Sequence, residues 1–423
     1  QGQPLFVQGE RVDLPGVTTS EVVFVTDSVH AGGFTTISFS GSGPVNQPGL
    51  ENGYVRNTVT VSANVAPATH GETVNEVLGS GDGSQSGQSF TLRRPPLTYL
   101  SASTGSGTQS TLIVRIGGVQ WNEVSRLYGQ DQNSEVYLVR MSDDGKFTAI
   151  FGDGQRGARL PTGSENVVAT YRSGSGLKGM VDAGSLTLLQ TRPLGIRGVT
   201  NPLPPTGAAD PEGRDSARTN APLTVLTMDR IVSLSDFEDF ARGFAGIGKA
   251  QAVALWTGAS FLVNVTVAGV TGDSVDPGSL LHDNLVAAIQ QACDPVQRFR
   301  VDSYQPLYFN LTARVLVDKP RYEVTDVLTA VQSTLLSSFA FAQRTLGQPV
   351  SAAEVETAIQ GVPGVIATDV NQLYRVDDAS GPSQTSPLTV LFARQALIEN
   401  QQIQPAELLA VNPAGVTVTE WTL

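Results

Sequence analysis

At 423 residues the chain is long enough for roughly two to four domains with real cores. Its hydrophobic content of 40% and charged content of 16% describe an ordinary soluble protein, slightly poor in charge. The net charge of −12 argues against a nucleic-acid binder, which carries a basic face; the single Cys293 excludes an intrachain disulfide framework; and no apolar run reaches the roughly 18 residues of a membrane span.

Residues 1–45 hold alternating apolar runs at 21–26 and 34–39, broken by Gly and Ser, which predict an N-terminal β segment. The runs 57–65, 90–92, 112–116 and 135–141 continue in that style. They place a β-rich core domain over 46–200, with polar, glycine-dense loops such as 101–109. Residues 201–221, rich in prolines and charges, are expected to be a linker.

After Pro222 the period changes. Ser235-Asp236-Phe237-Glu238 has the form of a capping box opening a short helix to Gly243. Strands follow at 251–256 and 261–267, then a helix from Asp276-Pro277 to about Cys293. A strand at 308–317 completes a first α+β module, 222–319. In 320–423 a helical stripe runs through Val324, Val327, Leu328, Val331, Leu335 and Leu336. Ser351-Ala352-Ala353-Glu354 forms a second capping box, its helix stopping near Gly361. Val362-Pro363-Gly364-Val365 then enters a strand, as Phe244-Ala245-Gly246-Ile247 does in the first module, and short strands at 387–392 and 408–411 close the chain. The expected fold class is α+β and multidomain: a β-rich N-terminal and core part followed by two helix-on-sheet modules, a diverged internal repeat.

Candidate chemistry fails on its own requirements. Gly243-x4-Gly248-Lys249 resembles a P-loop, but Ala250 stands where Ser or Thr would hold magnesium, and a helix precedes the first glycine. Gly174-x-Gly176-x-x-Gly179 lacks the following helix that a dinucleotide fingerprint needs; residues 180–189 alternate like another strand. His30, His70 and His282 have no metal-ligand spacing; His70 is expected in a structural hydrogen bond and His282 on an exposed helix face. Asp82-Gly83 and Asp143-Asp144-Gly145 lack the twelve-residue ligand pattern of a calcium loop. The sequons at Asn264 and Asn310 lie within predicted strands, and Cys293 is expected to be a plain buried thiol. No GxSxG elbow occurs, and Glu238/Asp239 and Asp377/Asp378 have no base beside them. No catalytic residue, cofactor site or metal site is therefore expected.

The most informative stretch is 151–180, FGDGQRGARLPTGSENVVATYRSGSGLKGM. Strand-like runs at 146–151 and 166–171 flank turn-dense segments, and Gly152, Asp153, Gly154, Arg156, Leu160, Pro161 and Gly163 form a structural turn motif. This stretch resembles the baseplate J-like family, the wedge subunits of contractile phage tails and related contractile injection systems. So do His70-Gly71-Glu72-Thr73, 77–83, 90–99, Asn201-Pro202-Leu203-Pro204, Asp210-Pro211-Glu212, 222–239, Gly347-Gln348-Pro349-Val350 and Val362-Pro363-Gly364-Val365, in colinear order over roughly residues 55 to 375.

The resemblance implies a non-enzymatic structural subunit that pairs with a second copy or a paralogue. It implies assembly with other wedge and hub proteins around a central hub, with the sheath a further candidate partner, and rearrangement when the sheath contracts. Assembly would be cytoplasmic, with no nucleic acid and no membrane span involved. Pairing through the C-terminal region makes Val327, Val331, Leu335, Leu336 and Phe339 the candidate subunit interface, the competing reading being a stripe packed internally on 365–370. The helical N-terminal part expected of wedge proteins is not found in these residues. No signal peptide and no initiating Met opens the chain, so it is expected to be the ordered part, or a fragment, of something longer. The alternative is a secreted β-rich adhesin or carbohydrate-binding protein, which accounts for the Gly/Ser/Thr-rich N-terminal half but not for the capped helices.

Overall fold

The computed structural model describes residues 3–40, 50, 52–66, 68–174, 176–205, 208–227, 230–378, 381 and 388–422. Parts of the sequence readings at 1–2, 41–45, 175, 228–229 and 387 lie outside the described residues. Strand outweighs helix, 40% to 17%, as a β-rich α+β chain requires. The chain forms two compact units: Gln1–Ala102 with Thr108–Gly213, and Ser103–Gly107 with Arg214–Leu423.

In the first unit, β1 (Pro4–Glu10), β2 (Thr18–Ala31), β3 (Phe34–Ser40) and β4 (Thr60–Ser62) form an antiparallel sheet of order β3-β2-β1-β4. Its small core is Leu5, Val7 and Val23 with Phe39, Tyr54 and Val59. Because β4 closes this sheet, the N-terminal segment does not end at residue 45.

The remaining strands are β5 (Glu72–Gly81), β6 (Ser89–Thr91), β7 (Tyr99–Ser101), β8 (Thr108–Ser110), β9 (Ile113–Ile116), β10 (Val119–Glu123), β11 (Val136–Met141), β12 (Phe147–Phe151) and β13 (Gly163–Ser173). All but the β7–β8 hairpin join one sheet, β5-β13-β9-β10-β11-β12-β6. Apolar residues alternate along these strands, and one face buries Val114, Ile116, Tyr137, Val167, Ala169 and Tyr171. Trp121 and Phe90 meet Phe151 edge-on, at 5.7 and 6.0 Å between ring centres. The strand expected at 180–189 does not form. Leu186 and Leu188 are exposed there, and alternation without a neighbouring edge to pair with does not hold a strand.

The second unit opens with α1 (Arg214–Thr227), which occupies residues read as linker and carries Pro222 inside it. Then come α2 (Leu234–Gly243), β14 (Ile247–Trp256), β15 (Phe261–Gly269), α3 (Leu280–Ala292) and β16 (Phe299–Ser303), whose strands form the sheet β14-β15-β16. Next are β17 (Gln305–Val317), α4 (Val324–Ser338), β18 (Val350–Ser351), α5 (Ala352–Gln360), β19 (Val365–Arg375), β20 (Val390–Leu391), β21 (Leu397–Glu399), β22 (Gln402–Gln404) and β23 (Glu407–Glu420). Here the sheet is β19-β17-β23, with α4 and α5 on its apolar face. The strand expected at 308–317 thus belongs to the second module, and the first is closed by β16, which the sequence reading passed over. Short and half polar, Phe299–Ser303 has little period, and its pairing with β15 is parallel and non-local.

Helix starts also differ. Ser233, not Ser235, caps α2, and the reciprocal partner is Asp236. Glu238 instead accepts from the Ala252 N–H. Ser279, not Asp276, caps α3, leaving Asp276-Pro277 in the preceding turn. Ser351 caps α5 as expected, accepting from Glu354 N–H, while the Glu354 carboxylate turns to Arg344 rather than back to the cap.

Candidate functional site

Residues 152–163 fold into a knot with the 80–88 segment, so two of the family-like motifs meet. Asp153 Oδ1 accepts from the Gln155 and Arg156 N–H groups at 2.8 and 2.7 Å, which holds its carboxyl below the usual range. Gly154 and Gly157 have φ of 86° and 84°, and Gly154 N–H donates to Gly157 O. A Cβ on Gly152 would lie 2.3 Å from the Gly157 carbonyl carbon, so these backbones touch where only glycine fits. Arg159 Nε donates to Asp153 O, while the Arg156 guanidinium lies over the Tyr128 ring. Leu160 is buried in the aromatic core; Pro161 O accepts from Asn166 Nδ2, whose Oδ1 accepts from Gly81 N–H. Gly163 begins β13. Apart from the exposed Arg156 guanidinium over Tyr128, the polar groups named are engaged within the turns, an arrangement that locks strands together.

The second unit contains a seam between its modules. Residues of β15 are buried on both faces: Val263, Val265 and Val267 toward the helices, Asn264, Thr266 and Ala268 toward the second module. Asn264 Nδ2 donates to Asp302 Oδ2 at 2.6 Å, Thr266 Oγ1 donates to Asn264 Oδ1, and Ala406 N–H donates to Thr266 Oγ1. Arg300 pairs with the other Asp302 oxygen. These buried polar groups satisfy one another, the condition under which burial is tolerated. Burial of Asn264 also removes its sequon from glycosylation. A polar Asn and Thr within the apolar run FLVNVTVAG were the signal that could have found the seam.

Lys249, the P-loop-like cation, points across this seam. Its Nζ donates to Ala342 O and stands 4.9 Å from the Phe341 ring centre, and burial holds its pKa below the usual lysine value. Gln251 on the same face donates to Leu346 O. The cation belongs to packing.

The candidate interface stripe is interior. Val327, Val331, Leu335 and Phe339 are buried in the second module's core, and Leu336 packs against it. They meet the inward residues of β17, Phe309 to Val315, and of β23, while Val324, Leu328 and Leu336 are half-buried at the edge of that core. Burial corrects the partner-facing reading for Val327, Val331, Leu335 and Phe339. Arg344, fully buried, pairs with Glu354 and lies against Phe339; Glu407, equally buried, takes Arg394 in two contacts. Sequence reasoning missed both pairs, since neither partner is near the other in the chain's local pattern.

Other candidates resolve as structure. The His70 ring lies against Gly174 and Gly179, where a side chain on either would collide with it. Largely buried rather than exposed, His282 contacts Asp283 and Val301 O. Cys293 is a buried thiol raised by burial. Ser110 donates to Glu123, whose carboxyl burial pushes upward, but no imidazole or amine joins them. Among the described residues no cluster of His, Cys, Asp or Glu could hold a metal, and no helix is long and apolar enough to cross a membrane. A shallow surface hollow lined by Thr91, Leu92, Arg93, Pro95 and Lys146 contains no acid–base pair.

Residues 229–302 match the family model described as Baseplate J-like central domain. The match begins just before α2 and ends within β16, so it coincides with the first α+β module. Within those residues the chain carries a segment similar to the Baseplate J-like central domain, in line with the baseplate resemblance read from its motifs. The upstream motifs at 70–99 and 151–180 lie outside the matched residues. Among solved structures, the chain is similar to one from the cryo-EM structure of the anti-feeding prophage (AFP) baseplate, 6-fold symmetrised. Identity is 14%, coverage 82% of this chain and 77% of that chain, and the TM-score 0.34. No curated protein matches.

Proposed function

We propose that this chain is a structural wedge subunit of the baseplate of a contractile injection system or contractile phage tail. In this reading it pairs with a second copy or a paralogue, assembles with wedge and hub proteins around the central hub, and rearranges when the sheath contracts. It assembles in the cytoplasm and ends as part of the particle. The observation that carries the reading is the Baseplate J-like central domain at 229–302, present as a closed module with a satisfied polar seam. Its polar groups are spent on holding strands and modules together, and such a molecule acts through surfaces rather than through a pocket.

The test is to delete the gene in the producing cell and to label the protein in purified particles. Loss of sheathed, baseplate-bearing particles, with the label at the tail end, is the expected outcome. Normal particles, or a label on the cell surface together with glycan binding, would instead favour the adhesin.

A further inference from the structure

The hairpin β2–β3 runs past the core that supports it. Residues 26–38 are exposed on both faces, including Val29, Phe34 (78% exposed) and Ile37. A two-stranded ribbon with neither face covered is marginal in water. Among the described residues its outer strand, β3, is an open edge of the sheet. Among the described residues, every other edge strand longer than three residues carries charge: Glu72 and Glu76 on β5, Lys249 on β14, Arg300 and Asp302 on β16, Asp369 and Arg375 on β19, Glu407 and Glu420 on β23. Charges of that kind discourage strand addition. The β3 sequence, FTTISFS, has no charge, no proline and no bulge of its own.

We propose that β3 is a docking edge for a second copy of this chain, each β3 adding antiparallel to the other about a twofold axis at Ile37. The sequence is self-complementary in that register. Ile37 faces Ile37 of the second copy, Thr36 faces Ser38, and Thr35 faces Phe39, so each pair is β-branched, hydroxyl–hydroxyl or β-branched with aromatic. A chain of net charge −12 approaching its own copy needs an uncharged contact, and this edge provides one. The twofold symmetry makes the contact self-limiting, a closed pair rather than a fibre. The pairing does not depend on the baseplate reading.

The experiment uses the full chain. Sedimentation should show a concentration-dependent dimer that Ile37→Lys abolishes with an unchanged circular dichroism spectrum. Directly opposed residues of an antiparallel pair lie about 4.5–5.5 Å apart, within disulfide reach. Ile37→Cys should therefore give a covalent dimer on mild oxidation. Phe34→Cys should not, because residue 34 lies roughly 20 Å from its mate in this register. Cys293 is buried and gives no background. A monomer at all concentrations, equal cross-linking at 34 and 37, or pairing only with a different protein would each overturn the proposal.

Discussion

The two modules of the second unit share a sheet plan and differ in the order in which the chain builds it. In each, a central strand has one antiparallel and one parallel neighbour: β15 between β14 and β16, β17 between β19 and β23. A helix leads into each antiparallel edge through the same turn. Ile247 N–H donates to Phe244 O and Val365 N–H to Val362 O, with Gly246 and Gly364 at φ of 95° and 94°. The first module runs helix, edge, centre, helix, while the second starts at its centre and reaches the helix and edge afterwards. The helix–turn–edge unit survives this rearrangement because its contacts are local. The difference lies in what covers the far face. That of β15 is buried in the seam, whereas that of β17 is more open, its Arg314 pairing with Asp369 near solvent.

The sharpest way to break the comparison is a charge in a helix core. Leu335→Asp puts an unpaired carboxylate where the side chain is fully buried, at an expected cost above about 4 kcal/mol. Circular dichroism should show the second module unfolded. A folded but dissociated protein would restore the partner-facing reading of the stripe. Next comes the seam. Asp302→Ala leaves the Asn264 amide unpaired in the interior and should cost about 2–3 kcal/mol in urea unfolding. Asp369→Ala on the open face of the second module should cost under about 1 kcal/mol. Equal losses would mean that the two faces are not differently covered.

The shared turn makes a finer test. Gly246→Ala and Gly364→Ala should each cost about 1–3 kcal/mol for their positive φ. The second should cost more, since its Cβ meets the Tyr322 ring and Val327 at 2.9 Å, while that of Gly246 meets only the movable end of Leu281. Thermal melts that rank them in reverse would remove the packing part of this account. The smallest effect separates the caps. Asp236 accepts from the Ser233 and Val232 N–H groups, which holds its pKa below the usual aspartate value. A depressed carboxyl contributes stability above the unfolded pKa and loses it as pH falls through the folded one. Asp236→Asn should flatten that acid-side loss in a pH series, whereas Ser351→Ala should cost a near-constant amount of about 1 kcal/mol.

Much of this was legible in the residues. The capped helices, the glycine turns and most strands follow from local rules, and Ser351 was read correctly from its spacing alone. The cap of α2 was misread by two residues because Ser233 and Ser235 both precede acids at suitable distances, and only the packing of Phe237 and Phe240 selects the helix phase. Strand β16 was missed, and β17 was placed in the wrong module, because partner choice between strands leaves no mark in a short sequence window. The same limit hid the Arg344–Glu354 and Arg394–Glu407 pairs.

By itself, then, the sequence determined the class of fold, the positions of the glycine turns and the helix stripes, and it carried the baseplate resemblance in motifs spread over roughly residues 55 to 375, of which 229–302 match the family model. Those depend on backbone conformation and on periodicity within a few residues. Tertiary structure alone decided that the α4 stripe faces inward, that β15 is buried on both faces, and that β3 is left open. Each of these depends on which surface, from a distant part of the chain, arrives to exclude water, and a side chain has no burial of its own until that surface is in place.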